Sequence, residues 1–344
     1  MTEAADENPK ADDEEPSTAG ADAATTDLLE PSEEGDGTAT AEAGAIPDEL
    51  GVHRTLRADV WRQFRRHKGA VFGLILLTII TLSVMVGLFI YPNDPFALNV
   101  VDANQGASWD YPAGTDNLGR DTISRAMYGG RVSLSVGFAA MFFGLVIGVT
   151  VGVLAGFIRW LDAPLMRVTD LFLSLPLLPL LLVVVIFFRE PMTERFGESM
   201  GIWLLVVLVI GATSWMQTAR VVRGDVLAVK EEEFVLAAQS VGTGTRRIIL
   251  RHVLPNVMSS IIVSAALGVA TAILTESAIS FLGLGFPADF PTWGRLLSDG
   301  RNYMQINIWR TIVPGGLISL VVLSVNFIGD GLRDALDPRL RSKG

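Results

Sequence analysis

Three clusters of charged residues hold most of the side chains that could do chemistry. Asp116, Arg120, Asp121, Arg125 and Arg131 stand close together, and Asp330, Arg333, Asp334, Asp337 and Arg339 form a similar mixed group near the C-terminus. The third is KEEEFVLAAQSVGTGTRRIILRHVLPN, residues 230–256, in which Lys230 and Glu231, Glu232 and Glu233 precede the basic set Arg246, Arg247 and Arg251. Neighbouring carboxylates can work as general acid and base. No nucleophile or metal set accompanies them here. Cysteine is absent, which excludes disulfides, thiolate metal sites and cysteine nucleophiles. The histidines are His53, His67 and His252, without HExxH or paired spacing. Of Lys10, Lys68, Lys230 and Lys343, none sits in a phosphate-cradling GxxxxGK[ST] loop, and Gly242-Thr-Gly244-Thr is a turn too short to be one. The chain is therefore expected to catalyse nothing and to bind no metal or cofactor itself. Energy for any work must come from a partner or an ion gradient. Ion pairing within the protein is the first expectation for the 116–131 and 330–339 clusters. Contact with a receptor is the second for 116–131.

The elements that position these groups are apolar. Half of the 344 residues are hydrophobic and mean hydropathy is +0.42, unlike a water-soluble domain. The net charge of −10 is unevenly spread. Residues 1–50 carry 16 acids and one base, and the remainder carries 21 acids and 26 bases. The acidic segment has almost no large apolar residues, so it is expected to be a disordered, solvated tail whose deletion leaves transport intact, with an interaction tail or an adaptation to high salt as alternatives. It lacks the basic start and apolar core of a secretory signal.

Six runs are candidates to cross a bilayer, which takes about 20 apolar residues each: 69–91, 132–158, 171–188, 201–219, 256–275 and 311–329. Backbone polar groups must be satisfied inside lipid, so these are helices. Lys and Arg orient them. The segment 54–68, RTLRADVWRQFRRHK, carries six bases and one acid, whereas the linker 92–131 carries three bases and five acids. Six spans put both termini and the 230–256 segment in the cytoplasm. Leu56, Val60, Trp61 and Phe64 share a helical face, consistent with an amphipathic helix on the inner leaflet or with an ordinary stop-transfer flank. Trp160, Trp203 and Trp309 lie near span ends, as interfacial anchors do. Gly144, Gly148, Gly152 and Gly156 recur every four residues, after Gly137, and make a face for close helix packing. Pro176 and Pro179 should break or kink the third span. Gln217 and Asn326 are neutral polar residues within spans, suited to interhelical hydrogen bonds, and Glu276 falls at the outer end of span five with an interfacial role.

Within residues 230–256, Glu231 to Ser240 reads as a short helix ended by Gly242 and Gly244, and Arg246 to Leu254 as a second helical piece. Pro255 stands at or just before the first turn of span five. Joining two spans needs only a few residues, so this helix-turn-helix is expected to be a docking surface for a cytoplasmic partner.

These residues resemble the EAA loop of ABC importer permeases. Ala237, Ala238, Gly242, Leu254 and Pro255 have that loop's spacing. Leu236 stands where the pattern has Glu, with Glu231, Glu232 and Glu233 one turn earlier. The blocks at 114–137, 161–176, 280–297 and 326–341 are similar, in order, to the second permease subunit of the dipeptide/oligopeptide/nickel group. The resemblance implies an all-α integral membrane protein: six transmembrane helices of the ABC importer (type I) permease fold, with a cytoplasmic coupling-helix loop at 224–255. The expected organisation is the tail 1–50, a cytoplasmic segment 51–68, the first span and external linker 69–131, and the permease domain 132–344.

The resemblance further implies a homologous second permease, two ABC ATPase subunits carrying ATP and Mg, and an extracytoplasmic binding protein. Nucleic acid is not among the expected partners. Coupling to the ATPases would fall to Glu231, Glu232, Glu233, Ala237, Ala238, Gly242, Leu254 and Pro255. Asp116, Arg120, Asp121, Arg125 and Arg131 would form an external segment near the gate. The implied cargo is a peptide, with nickel or sugar as alternatives. An ion-coupled secondary transporter is the rival class, and it would place ionisable groups inside the spans. A membrane-anchored structural subunit accounts for the spans but not for the loop.

Overall fold

The computed structural model describes residues 56–336, Ala288 excepted. The acidic tail, residues 51–55, Asp337 and Arg339 lie outside the described residues. Among the described residues the fold is helical, with one isolated bridge between Thr115 and Asp121.

Helix α1 (Leu56–Arg66) leads directly into α2 (Lys68–Ile90). His67 caps α2, its Nδ1 accepting from the Ala70 amide at 3.0 Å. An irregular linker with a 3-10 turn at Val100–Asp102 follows. Helix α3 (Thr122–Phe157) begins ten residues before the apolar run that suggested it, because the Asp121 carboxylate accepts the Ser124 amide at 2.8 Å and starts the helix there. Arg125 and Arg131 are thus helical residues and not part of a linker.

Helices α4 (Arg159–Ser174) and α5 (Leu177–Phe196) meet at 89°. The expected third span therefore begins earlier, breaks sharply at Leu175-Pro176, and runs on to Phe196. Helix α6 (Glu198–Lys230) extends eleven residues past the expected end of span four, so much of the expected loop is a continuation of the span. Short pieces α7 (Glu233–Ser240), α8 (Thr245–Ile248), a π turn at Ile249–Val253 and α9 (Leu254–Asn256) lead to α10 (Met258–Phe281). Helices α11 (Trp293–Arg301) and α12 (Trp309–Leu336) complete the fold.

Helices α3 and α6 make the most extensive contact, and glycine is the reason. A Cβ at Gly148 would come within 2.7 Å of the Trp215 carbonyl oxygen, and one at Gly152 within 2.7 Å of the Ala219 carbonyl oxygen. Gly156 faces Val226 and Gly144 faces Ser214 in the same way, whereas Gly137 faces Ile273 of α10. Backbones this close gain dispersion contacts that a bilayer cannot supply.

The pairing also fixes direction. Position numbers rise together along α3 and α6, so the two helices are parallel, and the chain must return once between them. The bent α4/α5 pair makes that single return. Gly87 meets Met127 while Gly130 meets Val84, and Gly73 meets Ser324 while Gly331 meets Ala70, so α2 is antiparallel to α3 and to α12; Leu267 meets Gly329 while Ile262 shares a cleft with Leu332 and Leu336, so α10 is antiparallel to α12. With the five long apolar helices, this gives six crossings. One end of the bundle gathers α1, the α7–α9 segment and the end of α12. The other gathers the 92–121 linker and α11.

Helix α1 packs on α12 and α2 through Phe64 and Val60, beside Leu74, Ile328 and Leu332. Trp61 remains 54% exposed and stacks on Phe64. Trp160 is exposed, and Trp309 partly so. Trp203 is partly buried, and its indole N–H donates to Ser135 Oγ at 2.9 Å, joining α6 to α3.

Candidate functional site

The 230–256 segment is built on three helix ends. Lys230 closes α6 and donates from Nζ to the Phe157 carbonyl at 3.2 Å, satisfying a carbonyl at the C-terminus of α3 with a positive charge. Glu231 ends α6, Glu232 precedes α7, and Glu233 opens it. All three are exposed, and the acids complement the N-terminal dipole of α7.

Val235 is the only fully buried side chain of α7. It enters a cluster with Val153 of α3, Val222 and Val226 of α6, Ile248, Val253 and Ile261. Ala238 and Leu254 are partly buried against the same cluster, and Ala237 is exposed. After Ser240 the chain turns by a Schellman motif. The Thr243 amide donates to the Ala238 carbonyl at 3.1 Å and the Gly242 amide to the Gln239 carbonyl at 2.9 Å. Gly242 has φ +79°, a conformation costly for any residue with a Cβ. Pro255 stands in the first turn of α9, three residues before α10, where its missing N–H costs nothing.

What this assembly leaves uncovered is apolar and basic. Phe234, Leu236 and Leu250 are about half exposed and Val241 is 83% exposed. Beside them lies an open cleft of ≈ 900 Å³ lined by Arg246, Arg247, Arg251, Leu250 and Pro255. A rigid short helix with an unburied apolar ridge and a cationic flank is a surface for a protein partner.

The same end carries ion pairs between spans that the sequence did not reveal. Arg223 of α6 grips Asp162 of α4 with two bonds of 2.5 and 2.7 Å, and Arg220 meets Asp170 at 2.5 Å. Asp334, in the C-terminal cluster, lies 3.6 Å from His67 Nε2.

At the opposite end, four of the five residues expected in the external segment come together and one does not. Asp116 accepts Arg120 Nε at 2.6 Å and the Leu118 and Arg120 amides at 2.8 and 2.9 Å. Arg125 Nε lies 3.8 Å from Asp116 and is 1% exposed. Asp121 is buried beside the Tyr91 hydroxyl, and its carboxyl is pushed above the usual range, chiefly by that burial. Burial, with the Asp121 charge second, pushes the Tyr91 phenol up to about 12. Arg131 stands apart: it donates to the Val84 and Met85 carbonyls at 3.0 and 2.7 Å and lies over the Phe89 ring. It fastens α3 to the end of α2, because two turns of helix carry it away from Asp116.

Glu276 is a second correction. Rather than an interfacial residue, it is fully buried. Its carboxylate accepts Ser280 Oγ at 2.7 Å and Ser133 Oγ at 3.0 Å, and Ser133 Oγ in turn accepts the Trp293 amide at 3.2 Å. The group joins α10, α3 and α11. Hydropathy put Glu276 at a span end; only packing shows that α11 covers that end.

Residues 122–342, from the first residue of α3, match the family model described as binding-protein-dependent transport system inner membrane component. The chain belongs to this family of transport permeases. Residues 55–107 match the N-terminal transmembrane domain of oligopeptide transport permease C. The dipeptide transport system permease protein DppC of Alkalihalophilus pseudofirmus is 39% identical over 285 residues, 83% of this chain and 90% of that protein. The oligopeptide transport system permease protein OppC of Bacillus subtilis is 38% identical over 289 residues, 83% of this chain and 91% of that one. A solved chain of the inward-facing MetNI methionine ABC transporter, 20% identical, aligns with a TM-score of 0.49 over 61% of this chain and 94% of that one. This permease is a multi-pass membrane component of an ABC transporter.

Proposed function

We propose that this permease is one of two non-identical membrane halves of an ATP-driven importer of di- and oligopeptides. Two ATPase subunits, which bind ATP and Mg, dock on α7–α9. An extracytoplasmic binding protein delivers cargo at the end bearing the 92–121 linker. Both termini lie in the cytoplasm, in line with the six bases of residues 54–68. The chain itself has no catalytic role. Peptide cargo follows from the relatives, named as dipeptide and oligopeptide permeases.

The observation that carries the docking role is the build of α7. It is pinned to the bundle by Val235 and closed by the Gly242 turn, and it turns Phe234, Leu236 and Val241 outward. Helix α6, about 50 Å long at 1.5 Å per residue, runs from α7 through the bundle. Lys230 ties the same joint to α3. A push on α7 therefore reaches two parallel spans at once and biases the bundle between inward- and outward-open states.

The test is Gly242→Pro and Ala238→Asp in the purified complex. Proline cannot adopt φ +79°. Both variants should insert normally and hydrolyse ATP while moving little peptide. Unimpaired uptake in both would overturn the docking role. Absence of Walker-motif ATPases among proteins co-purifying with the native chain would overturn the importer itself.

A further inference from the structure

At the end of the bundle that gathers α1, an apolar groove of ≈ 500 Å³ opens between α1, α2, α10 and α12. We infer that this groove is a site for an anionic phospholipid, with an acyl chain in the groove and the headgroup on a basic rim that includes Arg65 and Arg333. The site does not depend on what the permease carries. It rests on the cytoplasmic placement of α1 proposed above only for the leaflet that supplies the lipid.

The lining is the first argument. Trp61 and Phe64 of α1 share the groove with Ile262 of α10 and with Ile328 and Leu332 of α12. Among the described residues no ionisable or hydroxyl side chain lines it. Phe64 is buried, so the floor is protein. Trp61 is half exposed and Ile262 is 38% exposed, so the mouth is open.

Depth is the second. Ile262 is the fifth residue of α10 and Leu74, also in the lining, is the seventh of α2. At 1.5 Å per residue they lie about 6 and 9 Å from the starts of their helices. An amphipathic helix in the membrane interface buries its apolar face to roughly the same depth, about 5–10 Å into the boundary between headgroups and acyl chains. Helix α1, with its half-exposed Trp61 and its flanking arginines, has that form.

Charge is the third and says which lipid. Arg65 follows Trp61 by four residues and Arg333 precedes Leu336 by three, so each stands beside the groove on its own helix. Both are exposed, and neither pairs with a carboxylate among the described residues. Arg62, Arg66 and Lys68 are exposed close by along the chain. The carboxylates on α12 face elsewhere. Asp330 and Asp334 each follow a lining residue by two positions, which turns them across the helix, and Asp334 meets His67.

The orientation of the spans already asks for positive charge at this end, but it asks for no dry slot between the charges. A basic rim over an apolar slot is the complement of a phospholipid, which carries a phosphate above its hydrocarbon chains. The guanidinium fork suits phosphate oxygens, and basic clefts between membrane helices on the cytoplasmic side suit anionic headgroups. The bound lipid would brace α1 against α10 and α12.

The test uses the full transporter complex in phosphatidylcholine nanodiscs doped with phosphatidylglycerol whose acyl chains are brominated. Bromine quenches an indole at close range, and the Trp61 signal is the difference between the native chain and Trp61→Phe. Each arginine near an anionic surface favours it about fivefold, so two should lower the lipid fraction needed for half quenching about twenty-five-fold relative to brominated phosphatidylcholine. Arg65→Gln with Arg333→Gln should bring the two lipids level. Equal quenching by both lipids in the native complex would overturn the site, leaving ordinary bilayer contact. No quenching by either would overturn it as well, because a partner subunit would then cover the groove. An undiminished preference in the double variant would overturn the placing of the headgroup on these arginines.

Nanodiscs carry the lipid in both leaflets, so these results hold whichever way the chain faces. Sidedness is read separately. The chain contains no cysteine, and Arg62→Cys should react with a membrane-impermeant thiol reagent in inside-out vesicles and not in right-side-out ones, with the mass of this chain as the readout. Labelling from the outer side would overturn the cytoplasmic placement of α1 and leave the lipid site standing.

Discussion

Val235→Ala is the perturbation that most directly tests how α7 is held. Val235 is wholly buried and is the only such side chain on α7. Truncation removes about two methylene equivalents, or ~1.6 kcal/mol at ~0.8 kcal/mol each. Incomplete closure of the cavity raises the loss to ~2–3 kcal/mol. Since ~1.4 kcal/mol is tenfold in an equilibrium, the fraction of time α7 spends undocked should rise at least about thirtyfold. The effect should be local, because α7 is eight residues long and its remaining contact with the cluster is the partly buried Ala238.

Hydrogen exchange of the reconstituted complex reads this directly. Amides of residues 236–241 should exchange about thirtyfold faster while those of α3 and α6 are unchanged. In the same preparation, peptide moved per ATP hydrolysed should fall and ATPase activity should persist. Unchanged exchange in α7 would refute the idea that Val235 is its peg. Accelerated exchange throughout α3 and α6 would refute the local character of the joint.

Gly152→Leu should force α3 from α6, since even a Cβ at Gly152 would lie 2.7 Å from the Ala219 carbonyl oxygen. A loss of at least ~1–3 kcal/mol is expected as a lower melting temperature, whereas Gly224→Ala, with open space around it, should change little. Asp116→Ala leaves Arg120 and Arg125 buried without their carboxylate, at a cost of ~3–5 kcal/mol; thermal denaturation should rank it well below Asp116→Asn. The Tyr91 phenol should titrate by ultraviolet difference absorbance at about 12 instead of 10, and Asp121→Asn should lower it only part way because burial is the larger cause. The folded state holds this proton more tightly than the unfolded chain, so stability from Tyr91 is complete below pH 10 and is lost as pH rises from 10 to about 12. Asp121, also raised, follows the same sign: its contribution is complete below the ordinary carboxylate range and is lost as pH climbs through the raised value.

Much of the protein was legible before any coordinates. Apolar length marked the spans, because a bilayer demands about 20 residues whatever the fold. The every-fourth glycines marked a packing face, and the residues from Glu231 to Pro255 carried both the shape and the family of the loop. These are local properties, set by helix geometry and by the backbone freedom of glycine and proline. Tertiary packing decided the rest. The polar N-terminal turns of α3 looked like linker until the Asp121 cap and the buried Arg125 gave them partners. Arg131 was grouped with Asp116 by proximity in sequence, yet a helix turned it towards α2. Glu276 looked interfacial because hydropathy cannot see the cover provided by α11 and the hydroxyl of Ser133. A sequence specifies which faces are sticky or polar, but which faces meet is a long-range outcome of packing.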